Sequence, residues 1–335
     1  MDNVTTVGID LAKNVFSVHG VDTAGRQILR RSVRRNQLHR LVAQLPPCLI
    51  GMEACSGAHD WARRFQAHGH TVRLMAPKFV TPYHKSGKND GNDAEAICEA
   101  VARPSMRFVP IKSVEQQSIL CLHRVRLGFV EERTATINRI RGLLAEFGHV
   151  VAQGAAELRR QLPELLEQLP PLVAGALRDL HAHVGILDQR VLGYERDIEQ
   201  LARSDERTAR IRQLNGIGPL SASAIVASVG DAHEFENGRQ FAAWLGLVPR
   251  QHSTGGNTRL GHITRHGDAY LRTLLVMGAR AVLQSAARRK DRVSRWALSV
   301  RERRGYHRAC VAIAAKNARI IWALLAGNQP LQLAD

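Results

Sequence analysis

The stretch Val4-Thr5-Thr6-Val7-Gly8-Ile9-Asp10 limits the fold of this chain most, because it is short, β-branched and closes on a carboxylate. Such a run reads as a buried strand whose polar end leaves the core. Leu11 to Asn14 turns into a second strand-like run, Val15 to Val21. Asp22-Thr23-Ala24-Gly25 is a turn, and Arg26 to Val33 forms a third strand. A helix follows over Asn36 to Leu45 and ends before Pro46-Pro47. Leu49-Ile50-Gly51-Met52-Glu53 is another buried strand, this time ending on a glutamate. A helix over Gly57 to His68 and a strand at Thr71 to Met75 complete an α/β pattern.

Two strands thus end on Asp10 and Glu53, and a third acidic feature comes at Asn89-Asp90-Gly91-Asn92-Asp93. Behind it Ala94, Ile97 and Val101 recur at helical spacing; a helix starting near Asp90 projects Asp90 and Asp93, three apart, from one face, and a turn at Gly91-Asn92 presenting the pair is the competing geometry. Basic residues lie just upstream, at Lys78, Lys85 and Lys88. Each carboxylate taken alone reads as a strand-end turn residue or an N-cap aspartate. Taken together, at the carboxyl ends of strands where α/β sheets bind ligands, four carboxylates suit one or two divalent cations and phosphoryl transfer.

From Val114 to Phe147 the apolar pattern becomes that of a long helix. Gly154, Pro163 and Pro170-Pro171 break the next stretch into a shorter helix and turns. Leu177, Leu180, Val184, Leu187, Val191, Tyr194, Ile198 and Leu201 then recur in alternating steps of three and four, a heptad seam. The seam can fold back on the first long helix or zip two protomers together. Gly185 and Gly193 inside it argue for a modest coiled coil.

Charge separates the remaining third from the rest. Of a net +17, residues 205–335 hold +11, from 20 basic against 9 acidic groups, whereas residues 1–105 hold +5 and 106–204 only +1. A polyanion is the natural partner of such a surface; a basic surface alone would also fit ribosome or anionic-membrane association. Gly216-Ile217-Gly218 before a small-residue helix (Ala222 to Val229) resembles a helix-hairpin-helix, whose glycines expose N–H groups to phosphate; a plain tight turn is the competing reading. Phe235 to Leu247 reads as an amphipathic helix. Pro249 to Gly267 reads as a glycine-rich basic loop in which Ser253 and Thr254, backed by Gly255-Gly256, stand among Arg250, Arg259 and Arg265. Composition leaves open whether a hydroxyl there attacks a phosphate or only binds one. A metal-bound carboxylate or the adjacent His252 is the candidate proton acceptor. No apolar run approaches 18 residues, Met1 to Val4 lacks a signal-peptide layout, and five scattered cysteines fit a reducing compartment; a cytoplasmic protein with no membrane segment is expected.

These features resemble the DEDD insertion-sequence transposases, bridge-RNA-guided serine recombinases with RuvC-like and transposase domains. The resemblance rests on Asp10 in Gly-Ile-Asp, Glu53 in Gly-Met-Glu-Ala, Asp90, Asp93, the Gly216–Gly218 turn, the Gly-Leu-x-Pro-Arg motif at Gly246 to Arg250 and the serine-glycine loop. It implies an RNase-H-like (RuvC-like) α/β domain over 1–112 and a helical, coiled-coil spacer and oligomerisation arm over 113–204. Over 205–335 it implies a mainly α-helical transposase domain. Asp10, Glu53, Asp90 and Asp93 would hold Mg²⁺. A serine would attack DNA and become phosphoserine, and Gly216, Gly218, Arg250, Thr254, Arg259 and Arg265 would contact nucleic acid. The implied partners are donor and target DNA, a structured noncoding guide RNA, and further copies of the chain as a dimer or tetramer, with each active site assembled from two protomers. Many family members have serine directly before the loop glycine. Here Thr254 holds that place and Ser253 precedes it; threonine's methyl hinders in-line attack, so Ser253 is the expected nucleophile. The other reading is a metal-dependent, junction-resolvase-like nuclease with a basic nucleic-acid-binding domain.

Overall fold

A computed structural model describes residues 3–84 and 90–327; Lys85, Lys88, Asn89 and the side chain of Asp90 lie outside the described residues. The chain forms two compact units, Met1–Val114 and Glu115–Asp335.

In the first unit the strands are β1 (Thr6–Asp10), β2 (Val15–Val21), β3 (Gln27–Arg34), β4 (Leu49–Glu53), β5 (Thr71–Met75) and β6 (Phe108–Val109). The helices are α1 (Arg35–Ala43), α2 (Ala58–Gln66), α3 (Pro77–Val80) and α4 (Asp90–Val101). The sheet runs β3-β2-β1-β4-β5-β6. The β1–β2–β3 meander is antiparallel, β4 and β5 run parallel to β1, and β6 is antiparallel to β5. Strand alternation sorts the two faces. Val7, Ile9, Ile50 and Met52 join Phe16, Leu38, Trp61 and Phe65 in the core beneath α1 and α2.

The intervening residues, Gly8 and Asp10 on β1 and Gly51 and Glu53 on β4, face α4. Gly8 and Gly51 are register partners. A Cβ on Gly8 would lie 2.1 Å from the Ala94 carbonyl oxygen and 2.4 Å from the Cys98 nitrogen, and one on Gly51 would lie 2.7 Å from Val101 Cβ. The helix therefore rests directly on the backbone of the two central strands, a close approach that only glycine permits. Ala94, Ala96, Ile97, Ala100 and Val101 bury its underside, and the Cys98 thiol donates to the Thr6 carbonyl at 3.6 Å.

In the second unit α5 (Val114–Glu146), α6 (Ala155–Glu167) and α7 (Pro171–Ser204) share a core of Ile140, Leu144, Leu162, Leu177 and Val184. Pro163 sits inside α6. The seam residues Leu177, Val184, Leu187, Val191 and Ile198 are buried. Arg126 pairs with Glu195 and Arg133 with Asp188 (2.9 Å), and Phe129 packs on Tyr194, so α5 and α7 lie antiparallel and the seam is used within the chain.

The remaining helices are α8 (Glu206–Ile211), α9 (Pro219–Val229), α10 (Gly238–Trp244), α11 (Ala269–Ala286), α12 (Arg292–Arg304) and α13 (Tyr306–Ala326). They pack around Ile225, Phe241, Leu271, Leu275, Ile313 and Ile321. α10 is shorter than the pattern Phe235 to Leu247 predicts, because Asn237 caps it by accepting from the Arg239 and Gln240 N–H groups. α13 is long and apolar enough, by length and composition, to cross a membrane. It carries Arg308, Lys316 and Arg319 and buries Ala309, Ile313, Ala314, Ala318 and Ile321 in this core, as a central helix of a packed domain does.

The clearest departure from the sequence reading is at 249–263. A loop is expected there, but the chain forms an exposed hairpin of β7 (Pro249–Thr254) and β8 (Asn257–Ile263). Gly255 (φ 55°) and Gly256 (φ 81°) supply the two positive φ angles that a tight two-residue hairpin turn requires.

Candidate active site

Ile9 and Met52 are register partners on adjacent parallel strands, so the next residues, Asp10 and Glu53, leave the same edge of the sheet on the same face. α4 brings Asp93 to that edge. His84, which precedes α4, holds Asp93 through Nδ1–Oδ1 at 3.0 Å. Burial pushes the Glu53 carboxyl above the usual carboxylate range; Asp10 pushes it further, His84 acts in the opposite direction, and Asp93 adds to the rise. Each of these groups is thus near enough for its charge to be felt at Glu53. The thiol of Cys55 is raised by the same surroundings, through burial and then through Glu53 and Asp10.

Among the described residues no three His, Cys, Asp or Glu side chains are already closed up as metal ligands. The donor set nevertheless fits a hard divalent cation: it consists of carboxylate oxygens, and their mutual repulsion at Glu53 is what a cation would relieve. His84 was not among the residues singled out from sequence, and its isolated position carries no motif that would have revealed it.

In the second unit Ser253 pairs with Thr258 and Thr254 with Asn257 across the hairpin. Gln251 Nε2 donates to Ser253 Oγ at 2.7 Å, and that hydroxyl lies 3.5 Å from Thr258 Oγ1. Gln251, Ser253 and Thr258 therefore share one face of the ribbon. His252, Thr254 and Arg259 occupy the other, because successive residues of a strand alternate. This corrects the expectation for His252: it points away from the Ser253 hydroxyl and is not its proton acceptor within the hairpin. Both hydroxyl residues are exposed.

The two other arginines sit at the foot of the ribbon. Arg250 reaches the Thr264 carbonyl at 3.4 Å, and the Arg265 N–H donates to the Gly246 carbonyl at 3.2 Å. Arg265 has a φ of 56°, the single positive value outside glycine among the described residues. That conformation turns the chain out of the hairpin, and the sequence carries no signal for it.

The two glycines of the turn before α9 divide in role. Gly216 is pressed against α11, where a Cβ would lie 2.6 Å from the Gly278 carbonyl oxygen, so packing alone accounts for a glycine there. Gly218 caps the N-terminus of α9 with open space at its Cβ position, and Pro219 follows as the first helical residue.

The raised Glu53 carboxyl has a consequence for stability. A carboxyl raised in the folded state takes up its proton at higher pH than in the unfolded chain, so its ionised form opposes folding at neutral pH. The penalty disappears as the pH falls through the folded value. Without divalent cations, Glu53→Gln is therefore expected to melt at a higher temperature than the wild type at pH 7.5, with the difference closing as the pH is lowered towards 4.5. Thermal melts across that range check this, and a variant less stable than wild type at neutral pH contradicts it.

Comparison with known proteins covers both units. A family model described as "Transposase IS116/IS110/IS902 family" matches residues 208–294, and a DEDD-type IS110 model described as "Transposase" matches residues 7–149. The chain is 51% identical over 328 residues to a probable family 20 transposase of Pseudomonas aeruginosa, covering 96% of this chain and 97% of that protein. It is 44% identical over 329 residues to the transposase for insertion sequence element IS1111A of Coxiella burnetii, covering 97% of this chain and 90% of that one. To the transposase for insertion sequence element IS1328 of Yersinia enterocolitica it is 41% identical over 324 residues, covering 96% and 97%. The chain therefore belongs to the IS116/IS110/IS902 family of insertion-sequence transposases, enzymes that cleave and exchange DNA strands.

Proposed function

We propose that this transposase is an RNA-guided DNA recombinase that combines a Mg²⁺-binding carboxylate site with a serine nucleophile. The observation that carries the first half is the shared sheet edge of Asp10 and Glu53, with Asp93 brought to it by α4. The meander, the two parallel strands beside it and the helix laid on the carboxylate face favour an RNase-H-like reading of the first unit. Asp10, Glu53 and Asp93, with Asp90 assigned from sequence, would hold the metal, which when bound offsets charge on phosphoryl oxygens. The carboxylates would hold the cation at the sheet edge and keep the site polar.

Ser253 stands at the end of β7, beside a turn that exposes its hydroxyl. In the proposed step its oxygen bonds to phosphorus, the bond from phosphorus to the leaving sugar oxygen breaks, and that oxygen gains a proton. On its ribbon face the Ser253 hydroxyl donates to Thr258 Oγ1, a hydroxyl and not a base, so a carboxylate of a metal site is the proton acceptor this reading requires. Supply of that site by another copy of the chain accords with the assembly expected from sequence, as a dimer or tetramer. Arg259 and Thr254, on the opposite ribbon face, would contact nucleic-acid backbone in this reading; Arg250 and Arg265 flank the foot of the ribbon. The absence of a paired base beside Ser253 is also what a metal-only nuclease would show, and a covalent adduct separates the two readings.

On a DNA substrate, the wild type and Thr254→Ala are expected to form a covalent protein–DNA adduct, and Ser253→Ala is expected to form none and to lose recombination by several orders of magnitude. Loss of a mere phosphate hydrogen bond would instead cost about 1 kcal/mol, a several-fold effect. An adduct that survives Ser253→Ala and is lost in Thr254→Ala moves the nucleophile by one residue; indifference to both changes removes the serine step.

Guidance by RNA is supported by the excess of 20 basic over 9 acidic groups in residues 205–335, a surface suited to backbone contacts. Replacing only the pairing segment of the element's structured noncoding RNA is expected to redirect insertion, as read by sequencing the junctions. An unchanged insertion site would mean that the protein reads the target itself.

A further inference from the structure

A cleft of about 490 Å³ opens in the first unit between the β1–β2 turn, the start of α1 and the exposed side of α2. Its lining includes Asn14, Arg34, Arg35, Trp61 and Arg64, with one acidic residue, Asp60. Three features make it a site for an anion. Arg34 and Arg35 have no ion-pair partner among the described residues, whereas Arg64 is held by Asp60 at 3.0 Å. The two arginines stand at the N-terminus of a nine-residue helix whose first turn holds no acidic residue. Positive charge thus accumulates where the helix dipole already favours an anion. Finally, the guanidinium of Arg35 lies over both Phe16 (5.7 Å) and Trp61 (5.6 Å), and that of Arg64 lies over Trp61 (5.3 Å). Rings buried in the core fix the planes of these forks before any ligand arrives, which reduces the ordering cost of binding phosphate.

The cleft is placed by the same hairpin that places the carboxylates. Asp10 pairs with Ser17 on β2, and Val15, which lines the cleft, lies two residues further along that strand, about 7 Å on and within the scale of one or two nucleotide steps. The Arg35 N–H donates to the Asn14 carbonyl at 2.9 Å, tying the start of α1 to the β1–β2 turn. The carboxylates face α4, and the cleft opens on the α1 and α2 side of the same sheet edge.

We propose that this cleft seats a backbone phosphate of a nucleic-acid strand that crosses the sheet edge from the carboxylates over the β1–β2 turn. The proposal rests on the reading of Asp10 and Glu53 as a nucleic-acid-processing site. It assigns Arg34 and Arg35 to strand positioning, with Trp61 and Phe16 holding the Arg35 plane.

The test is fluorescence anisotropy of the full chain with short DNA and RNA oligonucleotides of one sequence, titrated at several salt concentrations. Arg34→Gln/Arg35→Gln is expected to weaken binding by roughly five- to tenfold at moderate salt and to lower the slope of log affinity against log salt by roughly 1 to 2. The charge-matched control Arg31→Gln/Arg40→Gln, on β3 and the last turn of α1, is expected to have a smaller effect on both. Arg34→Gln alone, which removes no ring contact, guards against misfolding and should retain part of the loss. A loss with one oligonucleotide assigns that strand to the cleft, and a loss with both assigns a contact blind to the sugar. Equal losses in the two double variants, or none in the first, overturn the proposal. Cleavage by Asp10→Asn is assayed beside the titration: lost cleavage with unchanged binding in the first double variant fails the cleft alone, and retained cleavage with weakened binding fails the carboxylate reading alone.

Discussion

The first unit depends on the close seating of α4 on a pair of adjacent glycines, Gly8 and Gly51, on the two central parallel strands: helix backbone lies over Gly8 and the Val101 side chain over Gly51. Any side chain at Gly8 would meet the helix backbone at little more than 2 Å, and backbone has nowhere to yield. The contact fixes where the helix crosses the sheet and how closely. Asp10 and Glu53 follow two residues after these glycines on the same face, and Asp93 lies just before the segment of helix that touches Gly8. The sheet therefore forms a close-packed floor that ends in a row of acids. Packing of the helix and assembly of the acidic edge are one arrangement.

That arrangement carries an electrostatic cost. Glu53 is held among like charges in a partly desolvated place, where His84, itself engaged by Asp93, acts in the opposite direction. Like charges gathered on one edge work against stability, and perturbed groups of this kind gather at functional sites. The second unit handles its exposed chemistry differently. Its hairpin carries Ser253 away from the helical core. The ribbon is tied back at its foot by Thr264 N–H to Val248 carbonyl (2.9 Å) and by Arg272, which donates to the Leu245 carbonyl at 3.1 Å. Deeper in that unit, burial holds His123 at a pKa of about 4, so it is neutral where it bridges Tyr270 (2.9 Å) and Ser223 (3.2 Å).

The strands of the first unit and the two long helices of the second were legible because their signals are local. β-branched runs ending on Asp10 and Glu53, and a seam from Leu177 to Ile198, each report their own burial in their periodicity. The hairpin at 249–263 was not legible, because every residue of β7 is exposed and no apolar alternation marks it. Only Gly255-Gly256 signals a turn there, and the same pair reads equally well as a flexible loop. Gly216 was readable as a phosphate cradle for the same reason: a glycine announces freedom or closeness, and only the fold reveals Gly278 across from it. His84 and the ring-stacked Arg35 escaped notice because their partners, Asp93 and Trp61, are joined to them by tertiary structure and not by spacing.

The central claim is that seating α4 on the glycine pair makes Asp10, Glu53 and Asp93 ligands of one cation. Its most direct test is an anomalous-difference map from crystals of the protein grown with saturating Mn²⁺, a stand-in for Mg²⁺ whose position the map reports. The account predicts a peak at the sheet edge with carboxylate oxygens of Asp10, Glu53 and Asp93 at roughly 2 to 2.3 Å. No peak at that edge, or manganese bound only elsewhere on the chain, would contradict it.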